Sequence, residues 1–166
     1  IGNRRVDPEK HRLIWRYLTE TELQEVVAKL LEFSNNFIAN QLLLSMGAHT
    51  HGPPATVDKG LQVLNAYYRN ILNIQTGIIV EASGIPRQNR VSARDMMKVL
   101  DRFAPYFGLM RQSGRQYYKT GHLRGIRSRV GYLSSRRGDH YRFVVIINTP
   151  GKPTHEIMRT IERYLK

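Results

Sequence analysis

The chain has 166 residues and a formal net charge of +13 at pH 7, because 26 Lys and Arg face only 13 Asp and Glu. This length favours a single domain with a real core, and no apolar run approaches the roughly 18 residues that a membrane-spanning helix needs. The absence of cysteine excludes disulfides and thiol chemistry. The charge implies an anionic partner, such as nucleic acid, acidic lipid or an acidic wall polymer, although composition alone favours a solvated basic face.

The first half of the chain is predicted to be helical after a polar lead-in. Residues 12–18 alternate in polarity and could form a strand. Thr19 and Glu22 then offer a capping box for an amphipathic helix that ends near Phe33. A second helix, over about residues 37–46, is apolar almost all round, as is usual for a helix at the centre of a domain.

The segment after the second helix is predicted to be a loop. Gly47 is the expected C-cap of that helix, and residues 48–56 contain two adjacent prolines. His49 and His51 could suggest a metal site, but no carboxylate or further histidine lies near them in sequence, so an exposed loop is the better interpretation. A third amphipathic helix is predicted over residues 57–72.

The middle of the chain combines a short strand, a loop and a fourth helix. Residues 78–80 are β-branched and predict a strand, and the following residues 81–90, with Gly and Pro, predict a loop. Ser92 is the predicted N-cap of the next helix, with Asp95 at the capping-box position. Residues 104–115 are expected to be a connection.

The last third of the chain is predicted to be an antiparallel sheet. A strand that carries Lys119-Thr120-Gly121 is followed by strands at residues 125–134 and 140–148, with a turn at residues 136–139. Residues 143–147 are a nearly pure apolar run rich in β-branched side chains, which is typical of a strand buried on both faces.

A final helix completes the predicted fold. Thr154 is its expected cap, and Ile157, Ile161 and Leu165 are expected to face inward. The order of elements predicts an α+β fold, in which an antiparallel sheet is flanked by the terminal helix and a helical block.

Two triplets are candidates for chemistry. Lys119-Thr120-Gly121, on a strand, could place an ammonium, a hydroxyl and an accessible stretch of backbone along one wall of a cleft. Ser34-Asn35-Asn36 lies between two helices, where helix capping is the better interpretation of Ser34 considered alone. Together the triplets match, in order, the second and third motifs of penicillin-binding proteins and class A β-lactamases.

Three longer blocks, at residues 30–48, 81–93 and 118–133, closely resemble the C-terminal half of the penicillin-binding protein 4 type of D-alanyl-D-alanine carboxypeptidase, the S13 serine peptidases. The resemblance covers the chain from about Leu18 to its end. It implies that residues 1–166 are the C-terminal part of a transpeptidase-like domain that is incomplete in this chain. The helical block would span about residues 19–104, and the sheet with its helix about residues 116–166.

The resemblance also implies catalytic roles. In the family, the Ser of the Ser-x-Asn motif and the Lys of Lys-Thr-Gly help to move a proton, and these residues would be Ser34 and Lys119. Asn36 would orient the substrate amide and the lysine of the nucleophile. A dry cleft and positive neighbours are expected to lower the pKa of Lys119. No metal and no cofactor are expected.

Substrate binding is implied for the rest of the same strand. Thr120 and Gly121 would receive the substrate backbone as an added strand, with the Thr120 hydroxyl near the terminal carboxylate. The family usually has Thr or Ser at the position of His122. His122 or Arg124 could replace that residue in binding the carboxylate.

The nucleophile motif of the family, Ser-x-x-Lys, is missing from the sequence. Thr56 with Lys59 has the spacing but lies after Ser34, in the wrong order, and Thr149 with Lys152 encloses Pro-Gly, which cannot form the helical turn. The chain also begins without a signal peptide, as a processed or trimmed chain would. We therefore expect the C-terminal part of a longer protein, whose upstream part carries the nucleophile, or a relative that does not catalyse.

The expected function is that of a D-Ala-D-Ala carboxypeptidase or endopeptidase, which acts on peptidoglycan peptide stems through a serine acyl-enzyme and binds β-lactams. It would work in the periplasm or elsewhere in the extracytoplasmic envelope, where peripheral membrane contact is compatible with the charge, and this chain alone is expected to be inactive. The alternative is a non-catalytic peptidoglycan-binding relative. A nucleic-acid-binding module is less favoured and no nucleic acid is expected as partner, because only the charge and an Arg-rich hairpin with Tyr132 and Tyr141 indicate it.

Overall fold

The computed structural model describes residues 7, 9–12 and 14–165 of the chain. Its helices are α1 (Leu23–Phe33), α2 (Asn36–His51), α3 (Val57–Asn70), α4 (Ala93–Phe103), a 3-10 helix (Ala104–Leu109) and α5 (Thr154–Tyr164). Its strands are β1 (Arg111–Ser113), β2 (Gln116–Leu123), β3 (Ile126–Ser134) and β4 (His140–Ile147). This order confirms the predicted α+β class. Within the described ranges, no helix has both the length and the apolar character needed to cross a bilayer.

The four strands form one antiparallel sheet in the order β1-β2-β3-β4. β3 pairs along its length with β2 on one side and with β4 on the other, and the predicted turn connects β3 to β4. β1, which the sequence did not predict, pairs only with residues 116–118 of β2. In the part of the chain that the structure describes, residues 119–123 of β2 therefore have a free outer edge.

Each face of the sheet carries a core. On one face, α5 packs against β3 and β4 through Leu133, Phe143, Val145 and Met158. On the other face, the cluster that includes Leu100 of α4 also contains Val144 of β4 at its margin. The apolar run of β4 is therefore covered on both faces, as predicted, whereas residues 140–142 are exposed.

Tyr132 joins the sheet to α4 on the second face. Its side chain is 2% exposed, and its hydroxyl donates a hydrogen bond to the carbonyl of Leu100. Burial raises the pKa of Tyr132 to about 12, because the ionised phenolate would lose its hydration there. Tyr132 and Leu133 thus alternate between the two faces and anchor a helix on each.

The second helix is longer than predicted, because Gly47 does not end it. α2 continues to His51, and its C-cap is Gly52, with a φ of 72°. Gly47 is buried where α2 crosses α3, and a Cβ atom there would lie 2.5 Å from the backbone nitrogen of Gly60. This glycine allows two helices to approach closely. Consequently, His49 and His51 lie exposed in the last turn of a helix and not in a loop.

The segment before α1 does not form the predicted strand. The described residues 12 and 14–18 pair with no strand, and four of their apolar side chains are 71–88% exposed, namely Ile14, Trp15, Tyr17 and Leu18. An alternating pattern forms a strand only where a neighbouring strand takes up its hydrogen bonds.

The predicted capping box at the start of α1 is also wrong. The Thr19 hydroxyl accepts a hydrogen bond from the backbone of Thr21. The N-cap of α1 is Glu22, whose side chain makes no capping hydrogen bond.

Two further sequence predictions differ from the structure. Residues 78–80 form no strand, and only a single bridge joins Ile78 to Arg90.

In α5, Thr154 is the first helical residue and does not cap the helix. Met158 is buried, whereas Ile157 is 43% exposed. The inward stripe runs through Met158, Ile161 and Leu165, at i, i+3 and i+7, so the predicted stripe was one residue out of phase at its start.

The predicted cap of α4 is correct. The Ser92 hydroxyl accepts from the backbone nitrogen of Asp95 at 3.0 Å and donates to its carboxylate at 2.7 Å. Thr76 donates to the same carboxylate at 3.1 Å, and Asp95 is only 5% exposed. The hydrogen bond from Ser92, followed by that from Thr76, holds the pKa of Asp95 below its ordinary value, although burial opposes this shift.

Candidate active site

The two sequence triplets meet in the folded chain. The ammonium group of Lys119 donates to the hydroxyl oxygen of Ser34, although the two residues are 85 positions apart. It also donates to the carbonyl of Thr120 at 2.7 Å. Burial lowers the pKa of Lys119, which is the predicted direction, and positive neighbours contribute no resolved part of this shift. A lysine that releases its proton more readily is thus held against a serine hydroxyl.

The chain between α1 and α2 fixes the position of Ser34. Ser34 has a left-handed backbone, with φ 54° and ψ 46°, and its N–H donates to the carbonyl of Leu30 at 2.9 Å. This conformation costs a residue other than glycine about 1–3 kcal/mol and persists where its surroundings enforce it, often at functional sites. Asn35 then caps α2 by accepting from the nitrogen of Ile38 at 3.0 Å. The turn is therefore a defined structure and holds the Ser34 hydroxyl toward β2.

Asn36 is close to the pair in sequence but is not bonded to it. It is the first residue of α2 and is exposed. Among the hydrogen bonds of the described residues, none joins its side chain to Lys119 or to Ser34. The amide of Asn36 is therefore not committed to this pair, and its predicted role in orienting a substrate stays a prediction.

β2 places the Lys-Thr-Gly side chains on two faces of the sheet. Lys119 lies opposite Val130, whose side chain packs on the face of α4, while Thr120 lies opposite Arg129 on the face of α5. His122 shares the face of Thr120. The Lys119 and Thr120 side chains therefore lie on opposite faces of β2, because side chains alternate along a strand. Their predicted joint role in one cleft stays a prediction.

Gly121 lies on the same face as Lys119, opposite Ser128. A Cβ atom at position 121 would lie 2.5 Å from the Ser128 hydroxyl oxygen, so a larger residue would force that hydroxyl to turn away. Because this part of β2 has no neighbour on its outer side among the described residues, its backbone can pair with an extended peptide. The free edge runs directly past Lys119.

A loop that follows the bridge at Ile78 borders the far end of this edge. Its residue Arg87 donates from its guanidinium to the carbonyl of Arg124, at 2.8 Å, in the turn after β2. The predicted substrate residue Arg124 is thus a backbone contact of the loop, and its own side chain is exposed. Arg87 lies within the block at residues 81–93, but no role for it is predicted there, because a loop residue has no periodicity from which the direction of its side chain follows.

The carboxylate of Glu81 shapes the same loop. It accepts from the Ser83 hydroxyl at 2.6 Å, from the nitrogen of Gly84 at 2.9 Å and from the amide of Asn40 at 3.1 Å. Burial raises the pKa of Glu81, but these hydrogen bonds outweigh it, so that the pKa lies below its ordinary value. Because Asn40 belongs to α2, the loop, the helix after Ser34 and the end of β2 form one connected unit.

The fold and these motifs agree with the comparison with known families. The chain belongs to the D-Ala-D-Ala carboxypeptidase 3 (S13) family, whose sequence model matches residues 8–118. The predicted family is therefore confirmed. The matched region contains Ser34-Asn35-Asn36 and the loop of Glu81 and Arg87, and it ends immediately before Lys119.

Individual relatives support this assignment. The D-alanyl-D-alanine carboxypeptidase DacB of Haemophilus influenzae is 25% identical, over 85% of this chain and 34% of the relative. The crystal structure of penicillin binding protein 4 from the same organism, complexed with a β-lactam, aligns with a TM-score of 0.72 at 20% identity over 86% of this chain and 41% of that one. A penicillin G-acylated predatory endopeptidase of Bdellovibrio bacteriovorus, Bd3459, aligns at 0.67 and 17% identity over 86% and 45% of the two chains. The chain thus spans about a third of the length of its curated relative, and the solved structures share its fold.

Proposed function

We propose that this chain is the substrate-binding part of a serine-type D-Ala-D-Ala carboxypeptidase or endopeptidase that acts on peptidoglycan peptides outside the cytoplasmic membrane. The observation that carries the proposal is the contact between Lys119 and Ser34 beside the free edge of β2. Membership of the family and the likeness to a carboxypeptidase and to penicillin-binding structures support it.

The contact supplies the proton path that acyl transfer requires. When a serine oxygen attacks the scissile carbonyl and the bond to the terminal D-Ala nitrogen breaks, that nitrogen must gain a proton to leave as an amine. The Ser34 hydroxyl can donate this proton and recover one from Lys119, with which it is already hydrogen-bonded. The lowered pKa of Lys119 favours this release, and the amide of Asn36 orients the substrate at the start of α2.

The nucleophile itself has to come from another segment, because no Ser-x-x-Lys occurs in the sequence. The surface around the site supports this part of the proposal. Phe33 and Phe37, on either side of Ser34-Asn35-Asn36, are 69% and 72% exposed, and α1 buries none of its residues. Large exposed apolar patches mark sites where another surface packs. We assign this patch to the part of the protein that carries the nucleophile.

Labelling with a fluorescent penicillin tests the proposal. The full-length protein and the 166-residue chain are incubated with the label and compared by denaturing electrophoresis and intact mass. We expect only the full-length protein to be labelled, and Lys119→Ala or Ser34→Ala to slow labelling by about 10²–10⁴-fold, the usual contribution of a positioned proton donor.

Two exposed residues outside the site provide matched controls. Ser45→Ala, on α2, and Lys152→Ala, before α5, should label at the rate of the unmodified protein. Absence of label on the full-length protein at high drug and long times would reject the enzyme. Loss of label in the controls as well would show that the site variants act through folding.

The missing nucleophile motif also favours a second candidate, a peptidoglycan-binding protein without catalysis. In that case the protein would sediment with purified peptidoglycan and release no D-alanine. The same Lys119→Ala variant would then alter retention and leave penicillin unreacted. Mass spectrometry of the protein after exposure to penicillin separates the two candidates, since only the enzyme gains the mass of the drug.

A further inference from the structure

The loop of residues 81–89 links α2 to the end of β2. At the start of this loop, the carboxylate of Glu81 accepts from the side-chain amide of Asn40 at 3.1 Å, and the oxygen of that amide accepts from the nitrogen of Ala82 at 3.2 Å. Further along the loop, Arg87 donates at 2.8 Å to a backbone carbonyl in the turn after β2. The loop therefore connects the helix next to the candidate serine to the strand that carries the candidate lysine.

Hydrogen bonds within the loop restrict its motion. The carboxylate of Glu81 also accepts from the Ser83 hydroxyl and from the nitrogen of Gly84. At the base of the loop, the side chain of Asn89 accepts from the nitrogen of Val80 at 2.8 Å and donates to the carbonyl of Glu81 at 3.3 Å. A polar network whose members satisfy one another is rigid. A displacement at one end of the loop is therefore passed on to the other end.

The amide of Asn40 holds one particular face of α2. A backbone N–H can only donate, so the side-chain oxygen of Asn40 must face Ala82 and its NH₂ group must face Glu81. Asn36 lies one turn before Asn40, at i and i+4, so the two side chains project from the same face of the helix. Glu81 therefore holds the face of α2 from which Asn36 projects.

The contact between Lys119 and Ser34 cannot by itself fix the distance between the turn of Ser34 and β2. In the proposed proton transfer, Ser34 gives its proton to the leaving nitrogen and recovers one from Lys119, so this hydrogen bond changes during the reaction. The link through the loop has no part in that transfer and can stay unchanged throughout it.

We propose that Asn40 and Glu81 are positioning residues, which act through the loop to keep the turn of Ser34 at a fixed distance from β2. This inference rests on the proposed function, since the distance matters only for a reaction at that site. A misplacement of about 1 Å, caused by a change away from the chemistry, can cost about 10²-fold in rate. Loss of the link should therefore slow acylation without removing any group that takes part in it.

An exchange of donor and acceptor between the two side chains tests this role. Asn40→Asp places a second carboxylate against Glu81, and Glu81→Gln places a second amide donor against Asn40. The double variant again sets a donor opposite an acceptor. The full-length proteins are mixed with fluorescent penicillin, and the limiting rate, the half-saturating concentration and the final labelled fraction are recorded.

We expect each single variant to lower the limiting rate of labelling by about 10–100-fold, with the half-saturating concentration unchanged within about twofold. The double variant should recover to within about threefold of the unmodified protein, because residues in direct contact are energetically coupled. A merely structural defect would instead lower the labelled fraction and leave the rate of the folded molecules unchanged. The rate and the fraction together thus separate positioning from folding.

Glu162→Gln is the matched control. Glu162 accepts from the side-chain amide of Gln116 at 2.6 Å, so this change alters the same kind of pair between β2 and α5, and the variant should label at the unmodified rate. Arg87→Gln tests the other end of the loop in case the variants at Asn40 and Glu81 fail to fold. Arg87 is exposed, and loss of its bond to the turn after β2 should slow labelling to a similar degree.

The outcomes separate this role from the proposed function. An unmodified rate in both single variants or in Arg87→Gln, absence of recovery in the double variant, or equal slowing by Glu162→Gln would overturn the positioning role. In each of these cases labelling of the unmodified protein would leave the proposed function standing. If the unmodified full-length protein is never labelled, the proposed function and the positioning role are both rejected.

Discussion

The sheet and the helical block of this protein differ in how completely they are packed. The centres of β3 and β4 are covered on both faces, with Leu133 fully buried. By contrast, α1 buries none of its residues and exposes Leu23 and Phe33. The candidate site lies on the boundary, since Lys119 belongs to the sheet and Ser34 to the turn after α1. The packed sheet therefore holds the lysine in place. The serine, by contrast, lies at the edge of an exposed surface on which another segment can pack.

The largest expected effect is on the stability of the sheet. Leu133→Ala should lower the free energy of unfolding by about 2–5 kcal/mol, because it leaves a cavity beneath α5. Leu23→Ala, in which the same side chain is removed from α1 at 65% exposure, should cost less than about 0.5 kcal/mol. Urea unfolding followed by circular dichroism measures both. Similar losses for the two variants would show that α1 is buried in solution.

A second comparison sets a tightly packed glycine against an open one. A Cβ atom on Gly60 would lie 2.4 Å from the carbonyl oxygen of Leu43, so Gly60→Ala should separate α2 from α3 and cost about 1–3 kcal/mol. Gly108 has no atom within 4 Å of such a Cβ, so Gly108→Ala should be nearly neutral. Thermal unfolding of the two variants should differ in midpoint by several degrees. If Gly60→Ala is also neutral, the helix crossing is less close than described.

The pH dependence of stability should depend in part on Asp95. Hydrogen bonds from Ser92 and Thr76 lower its pKa in the folded chain relative to about 3.9 in the unfolded chain. The stabilisation is therefore fully present above about pH 4 and is lost as the pH falls through the lower folded pKa. Asp95→Asn should remove this part of the acid dependence. The measurement is the urea midpoint of each protein at pH 7 and at pH 3. If Asp95→Asn shows the same difference between the two midpoints as the unmodified protein, Asp95 does not contribute to the acid dependence.

The smallest effect on the stability of the chain is expected at the exposed apolar patch of Phe33 and Phe37. This patch should matter most for the packing of another segment against the chain. Phe33→Ser combined with Phe37→Ser should change the stability of the 166-residue chain by less than about 0.5 kcal/mol, because both rings are exposed in it. In the full-length protein the same pair should lower the unfolding midpoint and the rate of penicillin labelling. Equal behaviour of the two proteins would mean that nothing packs on this patch.

Local sequence signals correctly predicted the structural elements that depend only on residues close together in sequence. The apolar run of β4, the turn before it and the cap at Ser92 each depend on neighbours in sequence, and all three are found in the structure. The pairing of Ser34 with Lys119 was predicted only because the two motifs occur together in a known family. Their approach across 85 positions has no local signature.

The predictions that failed depended on partners that are distant in sequence. Gly47 does not end α2 as predicted, because a glycine required by the approach of a second helix looks the same in sequence as one that ends a helix. The alternation at residues 12–18 found no neighbouring strand, and β1, with three polar residues, had no pattern by which to be recognised. The position of Arg129 also escaped prediction, since only the register of β2 and β3 places it beside Thr120.

The free edge of β2 also bears on whether copies of this chain associate with one another. Unpaired strand edges promote sheet-to-sheet association and aggregation, and charged side chains along them oppose it. Lys119 and Arg124 lie along or just beyond this edge, in a molecule of net charge +13. A second copy that paired here would bring like charges together, whereas a peptide that ends in a carboxylate would be attracted. The positive charges at this edge therefore oppose its pairing with a second copy of the chain.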